Sequence, residues 1–420
     1  MAGYDPVRDT EFKDALHTIE AIPDVSQTEP VQVSEAPTKP TPTAYAPAWR
    51  VSEPDTVQVP MLPEEFEELK RSSLNSMRND STVAQLADQE YVPQRRATRH
   101  PAPSNEQSAV VAQHYNKRGE VGREQREFSP ILPLKRFNNW IKSALIHRFS
   151  TGASGESNKQ NGRILDLGCG KGGDLNKWEH QHPSLLVMVD IAEVSVAQAQ
   201  ERYKNGKFSF QAMFFDFDCF RVPLESQLPS SILETLFDTV SLQFCLHYGW
   251  DTEKSVDTML SNVAKALRVG GTFIGTTVDD EMLYSRLETS PMRQDSQFGN
   301  ESYGVRFTSL KSRPEQPFGN QYYFWLEDAI EDVPEYVVDW KTFERKANEH
   351  GLELIYKARF DQMLADGYEL RPMRLLLERM HVIDQDQAAN GVVTPSMPMP
   401  LWDVCTLYVG FAFRKMESEA

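Results

Sequence analysis

The chain has 420 residues, enough for one large domain or two ordinary ones, and a net charge of −17. This acidity argues against a protein that coats nucleic acid through overall positive charge, but it is compatible with a local basic groove. The four cysteines form no Cys-x-x-Cys pair, which argues against a zinc site or a disulfide framework. No apolar run approaches the roughly 18 residues that span a bilayer, and the N-terminus has no signal-peptide core. We expect a soluble, intracellular protein with reduced thiols and no membrane partner.

Residues 1–108 hold half of the 26 prolines but few of the aromatic residues, and they show no sustained hydrophobic periodicity. Such a segment cannot bury enough apolar surface to offset the entropy lost on ordering. We therefore predict a disordered region over 1–108 and a single ordered domain over 109–420. The basic cluster at 95–100 has two interpretations, a nuclear-import or RNA-tethering element and a solvated charge run.

Hydrophobic periodicity predicts a helix over 134–149 and then an alternation of strands and helices. The predicted strands are 163–167, 185–189, 208–214, 237–243, 272–277, 352–360 and 405–413, and the predicted helices start at 174 or cover 194–204, 252–267 and 340–350. This alternation predicts an α/β fold with a doubly wound, mostly parallel, seven-stranded sheet. The interruptions at 279–339 and 361–404 are predicted to be insertions over the carboxyl edge of the sheet, where ligands bind.

The most informative segment is 163–173, an apolar strand that runs into a glycine-rich turn and a polar helix start. Backbone N–H groups and the dipole at a helix N-terminus favour an electron-rich ligand, and Gly168 and Gly170 let the backbone approach it without a Cβ. The dinucleotide fingerprint is satisfied as well, because Gly168, Gly170 and Gly173 are followed by Asp190 about twenty residues later. The turn therefore predicts a nucleoside-type cofactor but leaves its identity open.

Carboxylates near the ends of the first three predicted strands favour S-adenosylmethionine over NAD. Asp190 suits the two ribose hydroxyls, and Asp216 suits the exocyclic amine of adenine. Asp166 fits a cofactor with an amino-acid arm, whereas it would repel a pyrophosphate. A helix-capping role would explain any one of these acids. It is a poor explanation for acids at corresponding positions near the ends of three strands. We therefore expect the cofactor to be S-adenosylmethionine.

The same regions resemble a known family, the eukaryotic mRNA cap guanine-N7 methyltransferases, over about residues 110–415. The segments that carry the resemblance are Val111–Asn116, Phe137–Lys142, Leu165–Asp174, Asp190–Ala192, Gln243–Tyr248, Phe273–Thr277 and Val333–Tyr336. The resemblance implies a class I methyltransferase that methylates N7 of the 5′-terminal guanosine of capped pre-mRNA. It also implies a nuclear, monomeric enzyme that works with the transcription and capping machinery, namely the RNA polymerase II tail and the guanylyltransferase.

The resemblance also implies the residues of the site. The cofactor residues are Lys142, Asp166, Gly168, Asp190, Asp216, Gln243 and Tyr248. The cap residues are Asn138, Asn139, Lys171, Lys177, Arg202, His247, Tyr322, Phe324, Glu335 and Tyr408. Within this set Glu335, His247 and Tyr322 are the candidate catalytic residues. One departure is visible, because Phe217 follows Asp216 where a small polar residue is expected.

Side-chain chemistry agrees with these roles. The cations Lys171, Lys177 and Arg202 suit a triphosphate bridge, although a solvated basic face is the alternative for each alone. Phe244, Tyr322, Phe324 and Tyr408 suit stacking on a purine, and ordinary core packing is the alternative for Phe244 and Phe324. Glu335 can accept from guanine N1–H and N2–H₂, and His247 is expected to be a hydrogen-bonding wall rather than a base. Two rival functions remain open, a small-molecule methyltransferase and a cap-binding module with an inactive cofactor pocket.

Overall fold

The computed structural model describes residues 106–117, 128–150, 162–308, 314–383, 393 and 395–417. The predicted disordered region falls outside them except for its last three residues. Those residues begin helix α1 (Glu106–Lys117), so the described part of the domain starts slightly before the predicted boundary at 109. No helix in the described part of the chain is long and apolar enough to cross a membrane.

Seven strands form the central sheet, and they confirm the predicted α/β fold. The strands are β1 (Arg163–Leu167), β2 (Leu185–Asp190), β3 (Gln211–Asp216), β4 (Phe237–Gln243), β5 (Leu267–Val278), β10 (Leu352–Arg359) and β11 (Tyr408–Lys415). Their order across the sheet is β10-β11-β5-β4-β1-β2-β3, with parallel pairing from β5 to β3 and antiparallel pairing of β11 with β5 and β10. β1 lies between β2 and β4, so the crossovers place the ends of β1, β2 and β4 side by side.

Helices cover both faces of this sheet. They are α2 (Leu132–Phe149), α3 (Leu175–Glu179), α4 (Glu193–Asn205), α5 (Ser230–Leu233), α6 (Glu253–Ala266) and α8 (Trp340–Glu349). Side-chain caps start α6 and α8, because Thr252 accepts from the backbone N–H of Ser255 and Asp339 from that of Thr342. The apolar side chains of α6 are buried against the sheet.

The first insertion is a structure of its own, a helix followed by a four-stranded antiparallel sheet. It comprises α7 (Asp280–Thr289), β6 (Gln297–Gly299), β7 (Tyr303–Phe307), β8 (Gln321–Leu326) and β9 (Ile330–Tyr336). Strand alternation in β8 turns Tyr322 and Phe324 into the core and leaves Trp325 exposed. The second insertion supplies α9 (Phe360–Glu369), α10 (Arg371–Arg379) and α11 (Met399–Cys405).

Three strand starts differ from the predictions, each for a packing reason. β3 starts at Gln211 rather than 208, because Phe208 stacks on Tyr203 of α4 instead of entering the sheet. β11 starts at Tyr408 rather than 405, since Cys405 completes α11. β5 starts already at Leu267 rather than 272, where a register shift against β4 accommodates the Arg-Val-Gly-Gly segment at 268–271.

Candidate active site

The glycine turn after β1 is shaped for a ligand. Gly168 and Gly170 have φ values of +69° and +53°, in the region that favours glycine. A Cβ on Gly168 would lie 2.3 Å from the Cys245 Sγ, so this glycine allows the turn to pack on the loop after β4. A Cβ on Gly170 would meet no atom of the described residues within 4 Å, so this part of the turn faces open space.

Asp190, at the end of β2, is held against this turn by backbone donors. Its Oδ2 accepts from the Gly170 N–H at 2.8 Å, and its Oδ1 accepts from the Ala192 N–H at 2.9 Å. Burial raises the pKa of Asp190, and these backbone hydrogen bonds oppose that rise. Because a carboxylate accepts about four hydrogen bonds, acceptor capacity is left for ligand hydroxyls.

A pocket opens beside Asp190, between the strand ends and α1. It has about 730 Å³ of empty space, counting the part that opens to solvent. Its walls include Gly168, Gly170, Asp190, Asp218, Cys245, Tyr248 and Tyr336 from the domain body, with Val111 and Tyr115 from α1. The Tyr115 and Tyr248 hydroxyls are 2.9 Å apart, so α1 is hydrogen-bonded to the loop after β4.

Asp216 and Asp218 lie differently with respect to this pocket. Asp216 ends β3 with an exposed side chain and does not line the pocket, whereas Asp218 is buried and does. The chain turns inward only after Phe217, whose N–H donates to the Asp190 carbonyl at 3.0 Å. The residue that follows Asp218 is Cys219, which is smaller than the Phe217 that follows Asp216.

Lys142 and Lys177 are tied together by Asp174, a residue that the sequence interpretation used only as a helix start. The Asp174 Oδ1 lies 2.7 Å from the Lys142 Nζ and 3.0 Å from the Lys177 Nζ, and all three side chains are buried. Lys177 also donates to the Asn139 Oδ1 at 3.0 Å. Burial alone would raise the pKa of Asp174, but the two ammonium groups outweigh it and lower this pKa.

Asp166 and Gln243 do not line the pocket. Asp166 is buried in β1, where its Oδ2 lies 3.4 Å from the Trp178 Nε1, and burial followed by the charge of Asp174 raises its pKa. The Gln243 amide donates to the Ser241 hydroxyl at 3.3 Å and accepts from the Thr276 hydroxyl at 3.1 Å. The structure therefore gives Gln243 an interstrand contact and keeps Asp166 beneath the turn.

Glu335 is the centre of a second group of residues. It is only 1% exposed, and its Oε2 accepts from the Tyr322 hydroxyl at 2.7 Å. Its Oε1 lies 3.5 Å from both the Tyr248 hydroxyl and the His247 Nε2. Burial raises the pKa of Glu335 to about 7 and lowers that of His247 to about 3, so His247 is neutral at physiological pH.

Burial and the charge of Glu335 raise the pKa of Tyr408, so this ring lies near the carboxylate. Phe244 and Tyr408 pack edge to face with centroids 5.4 Å apart, and Tyr408 stacks on Phe360. Phe244 has a φ of +56°, which is unusual for a bulky residue, and its N–H is held by Thr276. Phe324, in contrast, packs on Tyr303 in the core of the insertion, so core packing accounts for it.

The remaining predicted cap residues lie on α2, on α4 and beside the glycine turn. Lys171 and Arg202 are partly exposed, and the Arg202 guanidinium donates to the Lys171 carbonyl. The Asn138 Oδ1 is buried and has no hydrogen-bond partner among the described residues, which fits a polar atom that awaits a ligand. No group of three or more possible metal ligands occurs in the part of the chain that the structure describes.

Sequence reasoning missed three residues of this site, namely Tyr115, Asp174 and Asp218. Tyr115 lies in a segment that resembles the family, but nothing local indicates that its hydroxyl meets Tyr248. Four of the six residues before Asp174 are glycines, so its place beside the turn was visible while its two lysine partners were not.

The seven-stranded sheet and the glycine turn define a Rossmann-like α/β domain. The family model described as the mRNA (guanine-N(7))-methyltransferase domain matches residues 98–416. The match covers more than half of the chain, so the protein belongs to this family.

Three relatives are similar over about three quarters of the chain, and each is called an mRNA cap guanine-N(7) methyltransferase. That of Cryptococcus neoformans (strain JEC21) is 43% identical over 335 residues, which cover 78% of this chain and 52% of that protein. That of Schizosaccharomyces pombe is 40% identical, covering 76% and 84%, and that of rice (enzyme 1) is 37% identical, covering 74% and 83%. The chain thus spans about half the length of its Cryptococcus relatives.

The raised pKa of Glu335 predicts a pH-dependent stability. A folded pKa of about 7 against the ordinary 4.5 means that the stabilising effect of the proton is complete below 4.5 and is lost as pH rises through 7. Relative to the parent, Glu335→Gln should therefore gain about 2 to 3 kcal/mol of unfolding free energy between pH 5 and pH 8. Urea unfolding at both pH values measures this difference. The exposed Glu331→Gln, on the same strand, is the control, and an equal change in both variants would contradict the burial of a titrating Glu335.

Proposed function

We propose that this protein transfers the methyl group of S-adenosylmethionine to N7 of the 5′-terminal guanosine of capped RNA. One observation carries the proposal. A buried carboxylate, Glu335, lies within 3.5 Å of the hydroxyl of Tyr248, and Tyr248 also lines the nucleoside pocket. A site for a nucleoside cofactor and a site for a base with hydrogen-bond donors therefore adjoin through one side chain. The names of the relatives agree with this function.

The residues of the nucleoside pocket fit S-adenosylmethionine. Asp190 offers oxygen atoms that backbone donors already orient, which suits a ribose diol. The open space above Gly170 allows the amino-acid arm to pass close to the backbone. Asp218 takes the role first assigned to Asp216, as acceptor for the adenine amine. When bound, the cofactor supplies an electrophilic methyl group on a sulfonium.

Glu335 is suited to guanine rather than adenine. An ionised carboxylate accepts from N1–H and N2–H₂ together, and adenine has no such pair of donors. Tyr322 donates to one Glu335 oxygen at 2.7 Å and so fixes the carboxylate plane. Tyr408, which lies near Glu335, and Phe244, which packs on Tyr408, provide ring faces and edges.

The reaction requires little proton transfer by the protein. Guanine N7 carries a free lone pair, so its attack on a methyl group needs no general base. His247, which is neutral because burial lowers its pKa to about 3, serves as a polar wall. Alignment by the aromatic and carboxylate contacts supplies most of the catalysis. The negative charge of Glu335 adds to it by stabilising the positive charge that develops on the base.

The rival functions explain less of the site. A small-molecule methyltransferase does not require two cations beside the glycine turn, Lys171 and Arg202. Nor does it require a buried carboxylate together with the packed rings of Phe244 and Tyr408. A binding module with an inactive cofactor pocket has no need for an Asp190 that is still held by the Gly170 and Ala192 N–H groups. The capped-RNA methyltransferase accounts for both sets.

The proposal extends to the cellular setting. Capping acts on nascent transcripts, so we assign the protein to the nucleus, with capped pre-mRNA as substrate and the RNA polymerase II tail and guanylyltransferase as partners. The catalytic domain is assigned to 109–420, and the enzyme is proposed to act as a monomer.

The direct test uses radiolabelled S-adenosylmethionine with two RNAs of the same sequence, one GpppA-capped and one with a 5′-triphosphate. We expect label on the capped RNA alone, released on digestion as N7-methylguanosine. The uncapped RNA and an Asp190→Ala variant are the controls. Cofactor binding without transfer would leave a binding module, and label on free nucleotides but not on RNA would favour a small-molecule enzyme.

A matched pair of variants tests the position of the adenine-binding acid. Asp218→Asn should weaken S-adenosylhomocysteine binding by about 1.5 to 3 kcal/mol, the usual contribution of a charge-assisted hydrogen bond. Asp216→Asn, two residues earlier and exposed, should change it by less than about 0.5 kcal/mol. Isothermal titration calorimetry measures both. The reverse order of effects would restore Asp216 to the adenine site.

Glu335→Gln keeps the shape of the side chain but removes its charge and presents an amide donor to the guanine donors. Transition-state stabilisation should suffer more than substrate binding, so kcat should fall by about 100-fold or more. Cofactor affinity should stay within about twofold. Capped inosine, which lacks the N2 amine, should slow the parent but matter much less in the variant. If both enzymes respond equally to inosine, Glu335 does not contact that edge.

A further inference from the structure

Asn262 is a buried polar residue in the middle of α6, and its side chain makes three hydrogen bonds to the backbone of one loop. Its Nδ2 donates to the carbonyls of Cys219 and Val222, both at 2.9 Å. Its Oδ1 accepts from the Leu224 N–H at 3.0 Å. Asparagine is a poor helix former in a helix interior, so its presence here reflects these three bonds rather than helix propensity.

The loop that Asn262 holds is the wall of the nucleoside pocket. Residues 217–221 all line the pocket, and they include the acidic group proposed to accept from adenine. Within this loop the Asp218 Oδ1 accepts from the Phe220 N–H at 3.0 Å, and its Oδ2 accepts from Arg221 at 2.9 Å and from Ser108 at 3.1 Å. Acceptor capacity is therefore left on Oδ1, in a direction fixed by the loop backbone.

Asn262 itself does not line the nucleoside pocket; it borders a separate groove on the outer side of α6. Its side chain bonds to the carbonyls of residues 219 and 222 and to the N–H of residue 224, which follow Asp218 in the same loop. A change at Asn262 thus reaches a ligand only through the backbone of the loop. Hydrogen bonds hold this loop at both ends, from the Phe217 N–H to the Asp190 carbonyl of β2 and from the Leu224 N–H to the Asn262 Oδ1.

We propose that Asn262 is a positioning residue that sets the adenine selectivity of the cofactor site by holding the loop from Phe217 to Leu224. This inference rests on the proposed function, because it takes an adenosine cofactor as the ligand. Without the two donated bonds, the loop carbonyls lose their partners, and the loop relaxes away from the geometry in which Asp218 meets the adenine amine.

The experiment compares two ligands that differ only at the base, S-adenosylhomocysteine and S-inosylhomocysteine. The inosine analogue presents a carbonyl in place of the amine, so a correctly placed Asp218 rejects it. The full-length parent should bind S-adenosylhomocysteine at least about tenfold more tightly, since a site built to accept from an amine penalises its loss. Calorimetry on the full chain gives the ratio of the two dissociation constants.

Two substitutions of different severity probe Asn262. Asn262→Asp keeps the shape and the bond from the Leu224 N–H but turns a carboxylate toward two carbonyls, so the ratio should fall to within about threefold of unity. Asn262→Ser retains a single hydroxyl donor in the interior and is the milder change, so its ratio should be intermediate. Val263→Ala, the next residue on α6 and fully buried in the core, is the control for lost stability and should keep the parental ratio.

The outcomes separate the inference from the function on which it rests. If folded Asn262→Asp or Asn262→Ser keeps the parental ratio of the two dissociation constants, Asn262 has a structural role only and the inference is overturned. A loss of selectivity in Val263→Ala as large as in the Asn262 variants would do the same, because it would trace the effect to stability. A parent that binds neither ligand would instead refute the proposed cofactor.

Discussion

The arrangement at the sheet edge depends on one interaction, the hydrogen bonds of the Asp190 carboxylate to the Gly170 and Ala192 N–H groups. They join the turn after β1 to the start of α4, so two crossovers of the sheet meet at a single anionic group. Burying that charge is costly, and the backbone donors offset the cost without consuming all of the carboxylate's acceptor capacity. Asp190 thus stabilises the turn and also prepares it for a diol. Gly168 has a left-handed backbone conformation, and a Cβ at this position would collide with the Cys245 Sγ, so the turn and the loop after β4 approach each other closely.

The two halves of the site are built differently. The nucleoside half comes from strand ends and helix starts, where main-chain geometry fixes each group. The carboxylate half comes from the first insertion, where β8 and β9 pair Tyr322 directly with Glu335. A buried acid with a pKa near 7 destabilises that sheet at neutral pH. Retaining it there is understandable if the carboxylate serves a ligand rather than the fold, and this is why the proposed function rests on Glu335 more than on the glycine turn.

Much of the fold was predictable, because period-two and period-3.6 patterns are local. β1 and β4 were predicted to the residue, and the seven-stranded sheet followed from the order of the segments. Errors occurred where packing overrides the pattern, as when Phe208 stacks on Tyr203 rather than extending β3. The same limit applies to the site. The position of Asp190 at the pocket could be predicted from its strand end. That Asp218 also lines the pocket could not, because periodicity does not reveal where a loop turns inward. The four strands of the insertion were not predicted at all, since short antiparallel strands with mixed polar and aromatic residues give no clear period.

Tyr248 makes the two halves one site. Its ring lines the nucleoside pocket, while its hydroxyl meets Tyr115 at 2.9 Å on one side and lies 3.5 Å from Glu335 on the other. A shift of the Tyr248 ring that follows ligand binding in one half must change a hydrogen bond in the other. Asn262 and the loop that it holds act on the opposite wall of the same pocket, where no contact with Glu335 is present among the described residues. In the proposed function, Tyr248 links the base site to the cofactor site, whereas the loop held by Asn262 acts on the cofactor site alone. The effects of substitutions at Asn262 can therefore be interpreted independently of those at Glu335.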